Sequence, residues 1–242
     1  MRHNIDKRRI GLILPSVNIR MEPELNNCPQ LSEINFYATR VMLDDTTEDT
    51  LRAMERDLQH AAKMLATVFP EVVVYGCTSG SFIGGKDGNA NIIKTIADEC
   101  HCPVVTASQA MVNAIQEVGA KKLTLVTPYT DDINQKEKDF LELNGIEVVA
   151  MKGLQLVPAE ELRTQTAERI IELVLETDVS ESDAVFISCT NVEGFQISEE
   201  LERKLNKPVL SSNIACMWSM LRAIENDVRI DNHGVLLREH LH

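Results

Sequence analysis

Short apolar runs alternate along the chain with longer stretches in which apolar residues recur at spacings of three and four. RIGLIL, VVVYGC, PVVTAS, KLTLVTP, AVFISC and PVLSS have strand length and are rich in Val, Ile and Leu, as strands covered on both faces are. Between them, residues 47–68 place Leu51, Met54, Leu58, Ala61 and Leu65 on one helical face. Similar patterns predict helices over 89–99, 131–144, 159–176 and 193–205. Strands alternating with helices predict parallel sheets joined by crossover helices.

The pattern also repeats. RIGLILPSVN is echoed by KLTLVTPYTDDIN, VVVYGCTSGS by AVFISCTNVEG, and PVVTASQAMVNAI by PVLSSNIACMWSML, in the same order and at nearly constant spacing. The expectation is an α/β fold of two similar lobes, each a parallel sheet flanked by helices, related by a pseudo-twofold axis with the active site between them. The lobes are expected at 9–118, joined by the C-terminal segment 227–242, and at 119–226. Ligands of open α/β sheets bind at the carboxyl ends of the strands, so the axis would bring Cys77 and Cys189 to opposite sides of one cleft.

Composition narrows the function by exclusion. The formal charge is −13, from 24 Lys+Arg against 37 Asp+Glu, and no basic block interrupts it, which argues against nucleic acid as a partner. The start, MRHNIDKRRIGLIL, lacks the long apolar region of a signal peptide, and no stretch approaches the length of a membrane span. The six cysteines are therefore expected as reduced thiols of a cytoplasmic protein, with no membrane partner. Aromatic residues are only 4% of the chain, so the core is expected to be aliphatic.

Each Cys-Thr pair ends a β-rich run and precedes small polar residues. That places the sulfur at a strand end near a helix N-terminus, where unpaired N–H groups lower a thiol pKa and favour a carboxylate. A lone buried cysteine is more often a small core hydrophobe, but the symmetric pair points to chemistry. Two opposed thiols suit proton abstraction and return beside a carboxylate; they equally suit nucleophilic addition to an activated double bond. The residues alone leave both open.

RIGLILPSVNIRMEPEL, YGCTSGS, TPYTDDIN, ISCTNVEGF and the terminal GVLLREHL together resemble the aspartate/glutamate racemase superfamily, in its branch of maleate cis-trans isomerases and arylmalonate decarboxylases. The resemblance spans nearly the whole chain. It implies a cofactor-independent isomerase or racemase acting on a small carboxylate or dicarboxylate, with Cys77 as nucleophile and Cys189 as proton donor. It also implies carboxylate binding by Asn18 and Tyr129, whose amide and phenol can donate hydrogen bonds. Thr78, Ser79, Thr190 and Asn191 join them as substrate-binding candidates, although Ser79, Ser81, Thr190 and Asn191 could equally be simple helix caps. The decarboxylases carry Gly at the first cysteine position, so Cys77 counts against decarboxylation; a malonate decarboxylase using Cys189 and a non-catalytic acid-binding protein are the alternatives. Maleate isomerases carry a further carboxylate-binding Asn where LVPAEEL (156–162) has Pro158 and Ala159, which leaves another acid open as substrate. A homo-oligomer is expected, as for most soluble enzymes of this kind.

Other signals carry less. GSFIGGKD (80–87) nearly fits a phosphate-binding loop, but Asp87 replaces the hydroxyl that would hold magnesium, and its glycines are expected to bend a loop over the pocket. ECHCP (99–103) lacks a second ligand pair for a metal. No dinucleotide fingerprint follows a strand, so no cofactor is implied. Cys216 is expected in the core, and Cys28 carries no signal.

Overall fold

The computed structural model describes residues 7–241; the basic stretch 1–6 and His242 lie outside the described residues. Two four-stranded sheets, parallel throughout, share one topology. The first runs β2 (Ile34–Val41), β1 (Arg8–Pro15), β3 (Val72–Tyr75), β4 (Val104–Thr106). The second runs β6 (Glu147–Gly153), β5 (Lys122–Thr127), β7 (Ala184–Ile187), β8 (Val209–Ser211). The six strands read from apolar runs are β1, β3, β4, β5, β7 and β8. The two missed, β2 and β6, carry polar residues such as Asn35, Arg40, Glu147 and Lys152 at half-exposed or exposed positions, so they lack the apolar run that the other two edge strands, β4 and β8, keep.

The first lobe carries α1 (Met21–Asn26), α2 (Glu48–Ala53), α3 (Glu55–Ala66), α4 (Thr78–Phe82), α5 (Gly85–Cys100) and α6 (Ala107–Glu117). The second carries α7 (Asp131–Leu143), α8 (Ala159–Leu162), α9 (Ala167–Leu175), α10 (Ser198–Leu205) and α11 (Ser212–Ala223). Equivalent helices begin alike: Thr106 Oγ1 accepts the Gln109 N–H at the start of α6, and Ser211 Oγ accepts the Ile214 N–H at the start of α11. These two helices pack on each other between the lobes, as a twofold relation requires. The core is aliphatic, and every residue of β3 and β7 is buried.

Three predicted helices are shorter or broken. The 47–68 pattern divides at Met54 into α2 and α3. The 159–176 pattern divides into α8 and α9, because Thr166 leaves helical geometry to cap α9 through the Arg169 N–H. The 193–205 pattern yields only α10. The C-terminal α12 (Val235–Glu239) lies against α11. Its hydrogen bonds and those of its flanks run to Glu202 and Trp218 in the second lobe and to Glu117 in the first. No helix among the described residues is long and apolar enough to cross a membrane.

Candidate active site

Cys77 leaves β3 and caps α4, its Sγ accepting the Gly80 N–H at 3.3 Å with the Ser79 hydroxyl at 3.9 Å. A Cβ on Gly80 would stand 2.9 Å from that sulfur, so glycine is what allows the N–H to approach. Ser81, a candidate cap, instead anchors α4 by donating to the Thr78 carbonyl and accepting the Ser108 N–H. A thiol at a helix start was the expectation, and Cys77 meets it.

Cys189 does not. It leaves β7 with φ of +95°, a conformation that a side chain adopts only when its surroundings impose it, and no helix begins before Ser198. Further on, the chain passes so close to β8 that a Cβ on Gly194 would come within 2.6 Å of the Ser211 Cβ. The turn is held by hydrogen bonds. The Ser188 N–H donates to the Val126 carbonyl at 2.8 Å, the Cys189 N–H to Ser212 Oγ at 3.1 Å, and the Asn191 N–H to Cys189 Sγ at 3.4 Å.

All eight candidate residues, Asn18, Cys77, Thr78, Ser79, Tyr129, Cys189, Thr190 and Asn191, line one small cavity between the lobes. The loops are stitched across the interface: Thr78 Oγ1 donates to Ser212 Oγ at 2.9 Å, and Thr190 Oγ1 to the Gly76 carbonyl at 2.8 Å. Asn18 Nδ2 donates to the Thr190 carbonyl and hydroxyl at 3.1 and 3.0 Å; Asn191 answers by accepting the Ile19 N–H at 2.9 Å and donating to the Val17 carbonyl at 3.1 Å. These residues fix the register of the lobes while lining the cavity. Tyr129 stands after β5, its N–H on Thr127 Oγ1, its carbonyl accepting from Asn134, and its ring edge-on to Phe82.

Sequence reasoning missed the other wall. Pro15, Val17, Leu43, Thr46 and Leu162 close the cavity on its apolar side. Leu43 and Thr46 follow β2, itself missed, so nothing marked them. The segments that carry them meet across the lobes: Thr46 N–H donates to the Val157 carbonyl at 3.0 Å, Ala159 N–H to the Asp44 carbonyl at 3.3 Å, and Asp45 bridges Pro158 antiparallel. Pro158 and Ala159, where the family pattern has an Asn, thus belong to a clasp over the site.

Charged side chains are absent from this lining. Burial pushes the Cys77 thiol up to about 11 against the lowering effect of the Gly80 N–H and Ser79, and the Cys189 thiol up to about 12 against the Asn191 N–H and the Tyr129 phenol. The expected depression of the thiol pKa therefore does not hold in the closed cavity, where desolvation outweighs the N–H groups. Burial likewise raises the Tyr129 phenol well above its ordinary value.

The weaker signals fall elsewhere. Gly84 and Gly85 turn the chain between α4 and α5 and do not line the cavity, contrary to the loop expected there, and Lys86 Nζ donates to the Leu143 carbonyl. His101 ends α5 in the left-handed conformation, and Cys100 donates to the Ala62 carbonyl. No cluster of three or more metal-ligating side chains occurs among the described residues. Cys28 and Cys216 are buried in the core.

This geometry has relatives. The chain is 28% identical to a maleate isomerase of Nocardia farcinica, over 96% of each chain, and 27% identical to one of Geobacillus stearothermophilus, over 95% of this chain and 96% of the relative. A solved Nocardia farcinica maleate cis-trans isomerase, a cysteine-to-serine variant with a covalently bound succinylcysteine intermediate, superposes with a TM-score of 0.91 at 26% identity, covering 96% of this chain and 98% of that one. The sequence model of the arylmalonate decarboxylase family matches residues 10–237. Two duplicated lobes, a thiol at the end of the third strand of each and a match over nearly the full length lead to one assignment: the chain belongs to the arylmalonate decarboxylase family, in the aspartate/glutamate racemase-like superfamily.

Proposed function

We propose that this protein is a cofactor-independent cysteine isomerase of the maleate isomerase kind, acting on a small unsaturated carboxylic acid. The observation that carries it is the presence of two thiols, Cys77 and Cys189, on the walls of one closed cavity with no charged side chain in its lining. The succinylcysteine seen in the Nocardia farcinica relative supports addition of sulfur to the double bond over simple proton abstraction.

In this reading the Cys77 thiolate attacks one alkene carbon, and the π pair moves to the carbon beside the carboxylate, giving an enolate-like anion. Cys189 delivers its proton to that carbon. The former double bond is now single and rotates; Cys189 then takes a proton back from the same carbon, the C–S bond breaks, and the trans acid and both starting thiol states return. Cys77 has the Gly80 N–H and the Ser79 hydroxyl beside its sulfur to stabilise the anion, and Cys189 supplies the proton. Tyr129 and Ser79 hold the carboxylate through their hydroxyls, Asn191 through its second amide hydrogen, and Thr78 and Thr190 through their loop N–H groups, while Asn18 joins them by turning its amide from Thr190 to the substrate. Leu43 and Leu162 exclude water above it, so hydration of the intermediate is suppressed.

Conversion of maleate to fumarate, followed by proton NMR in the wild type and in Cys77→Ser and Cys189→Ser, tests the proposal. Both variants are expected to lose about 10²–10⁴-fold in turnover; full turnover in either removes the two-thiol mechanism. Carbon dioxide release from a malonate that survives Cys77→Ala would establish the decarboxylase alternative instead.

A further inference from the structure

Glu137, on α7, belongs to neither the cavity lining nor the surface. It is fully buried, receives the Ser188 hydroxyl on Oε1 at 2.5 Å, and has no partner for Oε2 among the described residues. Ser188 immediately precedes Cys189, whose φ of +95° has to be imposed by the bonds around it. A carboxyl buried without a cation is held in its neutral form, since an ionised one would be heavily penalised. The cations of neighbouring elements are engaged elsewhere: Lys136 of α7 with Glu48, Lys152 of β6 with Glu176, and Lys86 of α5 with the Leu143 carbonyl. The titratable groups that feel Glu137 are Tyr129 and Cys189, both of which its charge would make harder to ionise.

We propose that Glu137 is a positioning residue for Cys189: its neutral carboxyl, taking the Ser188 hydroxyl, holds the turn that presents the thiol and keeps negative charge from behind Tyr129 and Cys189. Ionisation would place a buried anion behind the wall that has to receive an anionic substrate. Burial pushes the Glu137 carboxyl up to about 8, so this change falls just above neutral pH. The first lobe has a relative of this device but not a copy. Glu24 stands at the same spacing beyond Pro15 as Glu137 beyond Pro128, yet Gly76 precedes Cys77 where Ser188 precedes Cys189, and Glu24 bonds instead to Asn213 across the interface.

The inference rests on Cys189 being a reacting thiol, but its test needs no turnover. Infrared titration of the wild type is expected to show protonated-carboxyl absorption at pH about 6.5 that disappears near about 8; Glu24, raised to the same value, contributes part of it, and the Glu137 share is the part that Glu137→Gln loses and Glu24→Gln keeps. Alkylation of the Cys189 peptide by iodoacetamide, quantified by mass spectrometry, is expected to rise about tenfold per pH unit, with a shallower slope above about pH 8. In Glu137→Gln the bend should vanish, leaving labelling at least about threefold faster at high pH. Ser188→Ala provides a second variant: it removes a bond that lowers the carboxyl pKa, so the infrared midpoint and the labelling bend should both move to higher pH. Superimposed labelling curves in wild type and Glu137→Gln, a bend that stays in place in Ser188→Ala, or a carboxyl already ionised at neutral pH would overturn the proposal. A purely structural Glu137 would change melting temperature and leave the shape of the labelling curve untouched.

Discussion

The two cysteine loops descend from the same place in a repeated lobe and present sulfur differently. Cys77 has ordinary extended backbone, caps a short helix and draws an N–H from Gly80. Cys189 stands at φ of +95° in a turn, receives its N–H from only two residues ahead, and is followed by no helix until Ser198. Ser212 joins the two, accepting from both Thr78 Oγ1 and the Cys189 N–H. A shared topology therefore does not impose a shared thiol environment: the first sulfur caps a helix from ordinary extended backbone, and the second sits in a strained, tightly bonded turn.

The largest expected effect concerns the carboxyls behind these loops. Burial raises both Glu24 and Glu137 to about 8, above the ordinary carboxyl value of 4.5. Below about pH 4.5 folded and unfolded states are both protonated; between 4.5 and 8 only the unfolded state releases its protons, so stability falls with rising pH across that window. The slope is at most about 1.4 kcal/mol per pH unit for each group. Urea unfolding at several pH values should show it, and Glu137→Gln should remove one group's share.

Ser212→Ala should come next. It leaves the Cys189 N–H without its acceptor, and a buried unpaired donor costs about 1–3 kcal/mol; urea midpoints in wild type and variant measure it. Tyr129→Phe removes the phenol that helps Cys189 and the carboxylate, so maleate turnover should fall about 10²-fold, with labelling of Cys189 shifted to higher pH. The smallest effect separates the two backbones most directly. Cys189→Gly should be about 1 kcal/mol more stable than Cys189→Ala, because glycine relieves the positive φ. At Cys77, where no strain exists, Gly should be the less stable of the pair, and thermal melts of the four variants would decide it.

Much of this architecture was legible because burial on both faces leaves an apolar signature, which the central strands carry. The strands β2 and β6 escaped because polar residues at their exposed positions interrupt any apolar run, and with β2 went Leu43 and Thr46. All eight polar and thiol candidates proved to share one cavity because duplicated motifs, unlike single residues, reveal which strand ends face each other. The turn at Cys189 was hidden, since it is held by hydrogen bonds to Val126 and Ser212, residues distant in sequence. Glu137 did leave a trace: it occupies the apolar stripe of α7 with Ile133, Phe140 and Leu141, where a carboxylate is out of place.

The most direct measurement of the central claim is intact and peptide mass spectrometry of Cys189→Ser after incubation with maleate. The account predicts an adduct of one maleate on the Cys77 peptide, absent from Cys77→Ser: sulfur attacks, a proton from solvent completes the succinyl adduct, and without the Cys189 thiolate nothing takes that proton back to expel sulfur. No adduct, or one spread over the other cysteines while Cys77 stays free, would contradict it.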